Sequence, residues 1–578
     1  MIRNVTAGVG FLLAALALLG AEQSILEVVE ERTRAFQNIE GRAPLRILAH
    51  DRPTLLKYLR TLLFLPFFDM RRPIELDDYE GKTLGLIASP GDDRGAGGYR
   101  STDRFLRELT ALGPGNPMGL RLAADYSRAF YPEAFNDGMR VFLDGHFKAV
   151  WTLKNIPRGK HGMMDRIMPG LEQVFLNGPR GHPLLHTTHP GDASLKDHIL
   201  PNVMAFERAV GGEVVNLVVV DNAGCSRQMF EEFAKLRAAR ERMVYLVTST
   251  RGNQYRFPED FRVRVDGDDG IAHRPLQDGD FRPFHKDGKG RVTSRVALAE
   301  FNYLANANRR GREGELWLRS AVVSKVRVDK RSIIVTDAPW TEIPSGDWLA
   351  RCYYDRWPYQ EARFREMAWL CDLDVNHGFK KEEVPNRLAL KRVKGLSRSL
   401  AFCKKRVAKL DGEMPELDRK ISTGKPDGLR TRQRMERRKL LQEKRKALAT
   451  KAERYQRKLA VWEERLASEP LYEIRTEMDH IMSVLKVLLE NMFLYVHERF
   501  FDGGPPRGLG MLLRTFVGHH GDLEVLEDED EGLTYRFVLD GFDNRRDWQL
   551  ARAACERVNR MAPRTVDGVR IEMAVKRR

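Results

Sequence analysis

The chain has 578 residues, 42% of them hydrophobic and 31% charged, which is too long for one hydrophobic core and too apolar for a disordered protein. Its formal net charge of +16 favours a polyanionic partner, although a generally basic surface gives the same value. The five cysteines are widely spaced without a CxxC pair, which argues against a disulfide framework or a structural zinc site and favours a reducing compartment.

Residues 1–135 are predicted to form a helical N-terminal region. The run Ala7–Ala21 is apolar and follows Arg3, so it resembles a signal peptide. At 15 residues it is short for a membrane span, which needs about 20. We interpret it as a buried helix, and a secreted or membrane-anchored protein is the alternative.

Residues 136–250 are predicted to form the first part of an α/β core. A short apolar strand starts at Arg140 and ends at Asp144, and Phe147–Leu153 is expected to be the return strand. The seven residues Val214–Val220 form the clearest core strand, which stops at Asp221. Ser226 is a good N-cap for the next helix, and another buried strand follows. Alternating strands and helices of this kind are typical of an α/β fold.

Residues 251–344 are rich in β-type segments separated by Gly/Asp turns, which predicts a mostly antiparallel insertion in the core. Residues 345–389 return to the core with a helix that carries Glu361. Residues 390–470 are long, polar and helical, with an interruption at 424–428 and an apolar leucine seam, and predict a helical hairpin or coiled coil. Its dense Lys and Arg residues over 430–445 either contact DNA or form a solvated surface.

Residues 471–578 are predicted to form a small α+β C-terminal region. We expect a helix over Leu471–Val496, a β-hairpin, a helix over Asp547–Met561 and a last strand over Val569–Ala574.

Three acids stand at points where a fold of this kind can bring them together. Asp144 and Asp221 follow apolar strands, and Glu361 lies on a helix. Converging carboxylates of this type hold two divalent cations about 3.5–4 Å apart, which activate a hydroxyl or water and stabilise the leaving oxygen of a phosphodiester. Oxygen-only ligation favours Mg²⁺, with Mn²⁺ as a possible substitute.

The sequence around these acids resembles bacterial insertion-sequence transposases of the DDE type, which have an RNase H-like core, and within them the subgroup with a β-rich insertion before the Glu. The matching blocks are Leu143–His146, Val219–Ser226, Arg356–Glu361 continuing through Phe364 and Met367, His377–Phe379 and Glu383–Asn386. The resemblance implies that Asp144, Asp221 and Glu361 are the catalytic metal ligands. It also implies DNA cleavage at transposon ends and attack of the freed 3′-hydroxyl on target DNA.

The Tyr-Arg-Glu-Lys signature of that family is met in part. Tyr353 and Arg356 have the required spacing, Glu361 is shifted by one position so that Gln360 stands in the usual place, and Ala368 replaces the Lys. We predict Tyr353, Arg356, Trp357 and Gln360 as DNA-binding residues. The open alternatives are a salt bridge of Arg356 with Asp355 or Glu361, and core packing for Tyr353 and Trp357.

Pro358 lacks a backbone donor and suits the first turn of a helix, so two helical pieces or one kinked helix are expected, with Glu361 near the start of the second. The helix dipole is then expected to favour the charged form of this carboxyl. The resemblance further implies terminal inverted repeats and target DNA as partners, a homodimer in the DNA complex, no membrane partner, and a bacterial cytoplasmic, nucleoid-associated protein. A nuclease of the same fold and a catalytically inactive DNA-binding relic of a mobile element remain as alternatives.

Overall fold

The computed structural model describes the chain except for residues 40–44, 80–81, 90–94, 114–116, 163, 253–254, 256, 268–269, 304–315, 329, 379, 425–427, 504–507, 530–531 and 578. The middle of the interruption predicted at 424–428 and Phe379 therefore lie outside the described residues.

The N-terminal region combines one short strand, β1 (Ile2–Val5), with a series of helices. These helices are α1 (Val9–Leu19), α2 (Ala21–Gln37), α3 (Arg52–Phe64), α4 (Lys82–Ala88), α5 (Tyr99–Ala111), α6 (Pro117–Phe130) and α7 (Ala134–Asp137). The apolar run at the start is a buried helix, because nearly every side chain of α1 is inaccessible to solvent. Among the described helices none is by itself long and apolar enough to cross a membrane, and the pair α1 and α2, which passes by length and composition together, bends by 59°.

A twelve-stranded mixed sheet forms the centre of the molecule. Its first part contains β2 (Met139–Ala149), β3 (Arg158–His161), β4 (Arg166–Asn177), β5 (Pro183–Pro190), α8 (Leu195–Val210), β6 (Val215–Val220), α9 (Arg227–Ala238) and β7 (Tyr245–Ser249). Strand β2 is antiparallel to β4 and parallel to β6, and β6 is parallel to β7. As predicted, Ser226 caps α9, its hydroxyl accepting a hydrogen bond from the Met229 amide.

The predicted end of a strand at Asp144 and the return strand at Phe147–Leu153 are wrong. Strand β2 runs through Asp144 to Ala149, and its antiparallel neighbour is β4, which lies further along the chain. Gly145 and His146 do not form a turn because both continue the ladder, opposite Val174 and Gln173.

The β-rich segment extends the same sheet. Its strands are β8 (Phe261–Gly267), β9 (Gly270–Pro275), β10 (Arg282–Lys286), β11 (Val292–Asn302), β12 (Trp317–Lys325) and β13 (Arg331–Thr336). All of their pairings are antiparallel, and β13 joins this group to β7.

The stretch around Pro358 consists of two helices, α10 (Gly346–Tyr354) and α11 (Ala362–Leu370). One turn of π-helix, Trp357–Glu361, lies between them, and Glu361 is the N-cap of α11. The expectation of two helical pieces with Glu361 at the start of the second is confirmed. Leu349, Ala350 and Cys352 of α10 pack on core strands through Phe142 and Val219.

A two-helix arm follows. It consists of α12 (Arg387–Ser422) and α13 (Leu429–Ser468), and the short strands β14 (Lys381–Val384) and β15 (Leu471–Ile474) pair with each other at its base. The helix predicted over Leu471–Val496 is therefore wrong at its start, since the first four residues pair with β14 and cannot also join a helix.

The C-terminal region contains α14 (Glu477–Tyr495), α15 (Leu509–Leu512), β16 (Gly521–Asp528), β17 (Gly532–Leu539), α16 (Arg545–Met561) and β18 (Arg570–Val575). Strand β1 completes its sheet, in the order β1-β16-β17-β18. Helix α14 is buried along nearly its whole length. A buried ion pair between Lys148 and Asp479, with nitrogen and oxygen 3.0 Å apart, fastens it to β2.

Candidate active site

Neighbouring strands place Asp144 and Asp221 side by side. Leu143 of β2 lies opposite Val220 of β6 in the parallel ladder, so the next residue of each strand is an aspartate. The Asp144 carboxylate accepts a hydrogen bond of 2.8 Å from the Gly145 amide. The Asp221 carboxylate accepts one of 2.5 Å from the Asn222 amide, at the start of the turn that follows β6.

Arg356 connects the first of these acids to the helix. Its Nη1 donates to Asp144 Oδ2 at 2.7 Å and its Nη2 donates to Glu361 Oε1 at 3.1 Å. The salt bridge expected as an alternative is present to Glu361, whereas Asp355 pairs with Arg140 instead, at 3.0 Å. The contact with Asp144 was not predicted, because it joins residues 212 positions apart.

Tyr353 connects the second aspartate to the same group. Its hydroxyl lies 3.3 Å from Asp221 Oδ1 and 2.8 Å from Ser249 Oγ at the end of β7. The Arg356 guanidinium carbon lies 5.6 Å from the centre of the Tyr353 ring. Three acids from two strands and a helix thus surround one arginine and one tyrosine.

The charges of the acids act on one another. Burial raises the pKa of Asp144, Arg356 lowers it and the Asp221 charge raises it, with a net rise. Burial likewise raises the pKa of Glu361, and the charges of Asp144 and Asp221 add to the rise against the opposing effect of Arg356. The pKa of Glu361 therefore moves in the opposite direction to that expected from the helix dipole. A cation placed among these carboxylates would relieve their repulsion.

Glu172 is a fourth acid at this place, which the sequence did not reveal. Burial and then the charge of Asp144 raise its pKa to about 7. It lies on β4, and a Cβ atom on Gly145 would stand 1.9 Å from its Oε1, so the glycine leaves the space that this carboxylate uses. The available signal was an acid in a mostly apolar strand, followed directly by Gln173. Its proximity to Asp144 depends on a strand pairing that the local pattern does not give.

A cavity of about 730 Å³ lies beside three of the four acids, and Asp221 is not part of its lining. Its walls include Asp144, Glu172, Glu361, Trp357, Ala368 and Trp369. Trp357 is 61% exposed, so it does not pack in the core. Ala368, which stands where the family signature has Lys, adds no charge to the wall. His146, another wall residue, is held by Asp374, with its Nε2 2.8 Å from the carboxylate.

Gln360 lies apart from this surface. Its side chain is fully buried, and its amide oxygen and nitrogen have no hydrogen-bond partner among the described residues. Of the four predicted DNA-binding residues, Tyr353 and Arg356 therefore lie against the acids, Trp357 faces the solvent beside them, and Gln360 faces the protein interior.

A divalent cation fits this place by the chemistry of its donors, which are carboxylate oxygens. Over the ranges that the structure describes, however, no three His, Cys, Asp or Glu side chains are arranged to hold a metal ion. The guanidinium of Arg356 lies between Asp144 and Glu361 instead, bonded to both, and its single positive charge offsets part of their negative charge.

Comparison with known proteins adds one distant similarity. No protein-family model matches the sequence, and no curated protein matches it. Among solved structures, the chain is similar to a piggyBac transposase seen by cryo-electron microscopy as a synaptic complex with hairpin DNA, over 63% of this chain and 68% of that chain, at 8% sequence identity and a TM-score of 0.30. A likeness at this level identifies neither the fold nor the function of the chain.

Proposed function

We propose that the protein is a DDE transposase of a bacterial insertion sequence, which cleaves DNA strands at transposon ends and transfers them into target DNA with two Mg²⁺ ions. The observation that carries the proposal is the meeting of Asp144, Asp221 and Glu361 around Arg356 and Tyr353. Burial raises the pKa values of Asp144, Glu361 and Glu172, and a purely structural salt bridge of Arg356 does not require Asp221 and Glu172 beside its two carboxylate partners.

The arrangement of the core strands supports the same proposal. Strand β4 is antiparallel to β2 and β5, and its first residues also pair with β3, while β6 and β7 are parallel to β2. The order β5-β4-β2-β6-β7 within this sheet is the one expected of an RNase H-like core. The first two acids then stand on its two central strands. The antiparallel strands β8–β13 are the insertion, which continues the core sheet from β7 before the helix that carries Glu361.

In this proposal Asp144, Asp221 and Glu361 would hold the metal ions, which would activate the attacking hydroxyl and stabilise the leaving oxygen. Arg356 gives up its two carboxylate partners and donates its two Nη groups to oxygens of a DNA phosphate, a geometry that suits its planar fork. Tyr353 keeps the Asp221 carboxylate oriented through its hydroxyl. Trp357, exposed at the cavity, offers a flat surface on which an unpaired base can stack.

The partners follow from the reaction. We propose that the protein binds terminal inverted repeats and target DNA, as a homodimer that holds two transposon ends, in the cytoplasm at the nucleoid. The net charge of +16 is compatible with such a partner.

A cleavage assay tests the proposal. The DNA substrate carries the short inverted repeats that the proposal expects on either side of the gene, and it is incubated with the protein and Mg²⁺ or Mn²⁺. We expect nicked and then joined products, and their loss in Asp221→Asn. Asp347→Asn is the matched control, because Asp347 pairs with Arg351 on the exposed side of α10, away from the acids.

The outcomes separate the alternatives. Nicks without joined products favour a nuclease of the same fold. Binding to the repeats without any cleavage, unchanged by Asp221→Asn, favours an inactive relic. Cleavage that is equal in the wild type and in Asp221→Asn contradicts the proposed site altogether.

A further inference from the structure

The two-helix arm has a geometry of its own. Two ion pairs cross between its helices, Asp418 with Arg438 and Asp411 with Arg445. The residue numbers of each pair have the same sum, 856, so α12 and α13 run antiparallel in constant register. At about 1.5 Å per residue, helices of 36 and 40 residues are about 54 and 60 Å long.

The arm carries the whole excess charge of the protein. Helices α12 and α13 contain 25 Lys and Arg against nine Asp and Glu, a net charge of +16. The complete chain also has a net charge of +16, so all residues outside the two helices sum to zero. An evenly basic surface, the alternative raised by composition, is therefore ruled out.

Few of these basic residues have acidic partners. Within the described part of the chain six of the 25 form ion pairs: Arg387, Lys409, Lys420, Arg438, Arg445 and Arg465. The pairs of Arg438 and Arg445 hold the helices together, and that of Arg387 lies at the base of the arm. The other 19 form no ion pair within 4 Å among the described residues, so their positive charge is largely uncompensated and attracts anions.

Part of this charge is ordered along α13. Five basic residues recur every seven positions: Arg430, Arg437, Lys444, Lys451 and Lys458. All five are exposed. Because seven residues make nearly two helical turns, they form one stripe, about 42 Å long from first to last. We call these five residues the basic stripe.

The helices themselves are suited to stand in solvent. Thr431 is the one buried residue among the 40 described positions of α13. The inner side of the hairpin is built from residues at alternating spacings of three and four, including the half-buried Leu441, Leu448 and Leu459. A coiled coil of this kind uses its seam to bind its two helices together and leaves the basic stripe free.

We propose that the arm is a binding surface for the backbone of duplex DNA, separate from the carboxylate site and indifferent to base sequence. A rigid, straight row of cations matches a linear polyanion, and duplex DNA has one negative charge per about 1.7 Å of its length. The inference goes beyond the proposed chemistry, because DNA binding by the arm requires neither the metal ions nor Arg356.

The test uses the full-length protein and a fluorescent duplex of arbitrary sequence. A duplex of about 30 base pairs is longer than the stripe at about 3.4 Å per pair. The variant replaces all five stripe residues by Gln, which retains a good helix propensity. Its matched control replaces five exposed basic residues of the body by Gln: Arg158, Lys196, Arg282, Lys286 and Lys289. A third variant exchanges Lys and Arg within the stripe and keeps its charge.

Anisotropy titrations between about 50 and 200 mM salt measure the affinity and its salt dependence. We expect the slope of log K against log salt to decrease by about 0.9 per lost phosphate contact, up to about 4.5 for the stripe variant, with an affinity at least about tenfold lower. The body control and the charge-retaining variant should bind as the wild type does.

Equal losses in the stripe variant and the body control would overturn the inference, since net charge alone would then explain binding. A lower DNA affinity of the charge-retaining variant would also overturn it. The same holds if the stripe variant loses binding to vesicles of anionic lipid but binds DNA as the wild type does. Helix content by circular dichroism verifies that the variants fold. Mn²⁺ binding at the carboxylates, measured on the same samples, reports on the proposed function separately, and the stripe variant should leave it unchanged.

Discussion

Arg356 is the residue whose removal tests the candidate site most directly, because it holds two of the three proposed metal ligands. In Arg356→Gln, Asp144 and Glu361 lose donors at 2.7 and 3.1 Å in a place where the arginine is 8% exposed. Hydrogen bonds to charged groups in such a partly buried place are each worth about 1.5–3 kcal/mol. We therefore expect a lower melting temperature in the absence of metal ions.

The same change should strengthen metal binding. Suppose that repulsion from the Arg356 guanidinium weakens the binding of a cation by about 1.4–2.8 kcal/mol. The variant should then bind Mn²⁺ about 10- to 100-fold more tightly than the wild type. The measurement is calorimetry at about pH 8, where competition from protons on the raised carboxyl groups is weak. Added Mn²⁺ should then raise the melting temperature of the variant more than that of the wild type.

Arg140→Gln is the matched control. This substitution also removes one positive charge. Arg140 pairs with Asp355 in the structure and does not contact the three acids. Equal Mn²⁺ affinities in the wild type and Arg356→Gln would refute the reasoning that Arg356 occupies the place of a cation. Absence of Mn²⁺ binding in every variant would instead count against the metal site itself.

Two further predictions concern stability. In the folded state the pKa of Glu172 is raised from 4.5 to about 7, so ionising this carboxyl destabilises the fold as pH rises through that interval. Glu172→Gln removes this cost and should raise the melting temperature by an amount worth about 2 kcal/mol at pH 8. The gain should shrink towards pH 5. A gain that is independent of pH would contradict this assignment. Asp479→Ala should destabilise the protein by about 3–5 kcal/mol in denaturant unfolding, since it leaves the fully buried Lys148 unpaired. The double variant Lys148→Met, Asp479→Leu should recover most of the lost stability. If it does not, the pair must stabilise the fold by more than the compensation of its two charges.

What could be predicted from sequence was largely local. The strand before Asp221, the Ser226 cap, the hairpin near the C-terminus and the interruption near Pro358 each follow from a pattern within about ten residues. The seam of the arm is also local, because a heptad repeat is read along one helix.

The features that could not be predicted depend on distant partners. The strand through Asp144 continues because β4 pairs with it, and nothing within Gly145–Ala149 marks whether the chain turns or goes straight. Glu172 reaches the acids by that same pairing. The burial of Gln360 depends on the rotation of the π-helical turn about its axis. A shift of one residue along a helix is enough to move a side chain from the exposed face to the buried face.

The pairing of β1 with β16 has a consequence for the timing of synthesis. Ile2 lies opposite Leu523, and α1 packs against α14 and β18 as well as against α2 and α6, so two of its partners lie more than 450 positions further along the chain. At about 5–20 residues per second, the ribosome needs roughly 25–100 s to supply them. During that interval α1 can pack against α2 and α6 but not against α14 and β18. We therefore expect α1 to be among the last elements to reach its final packing.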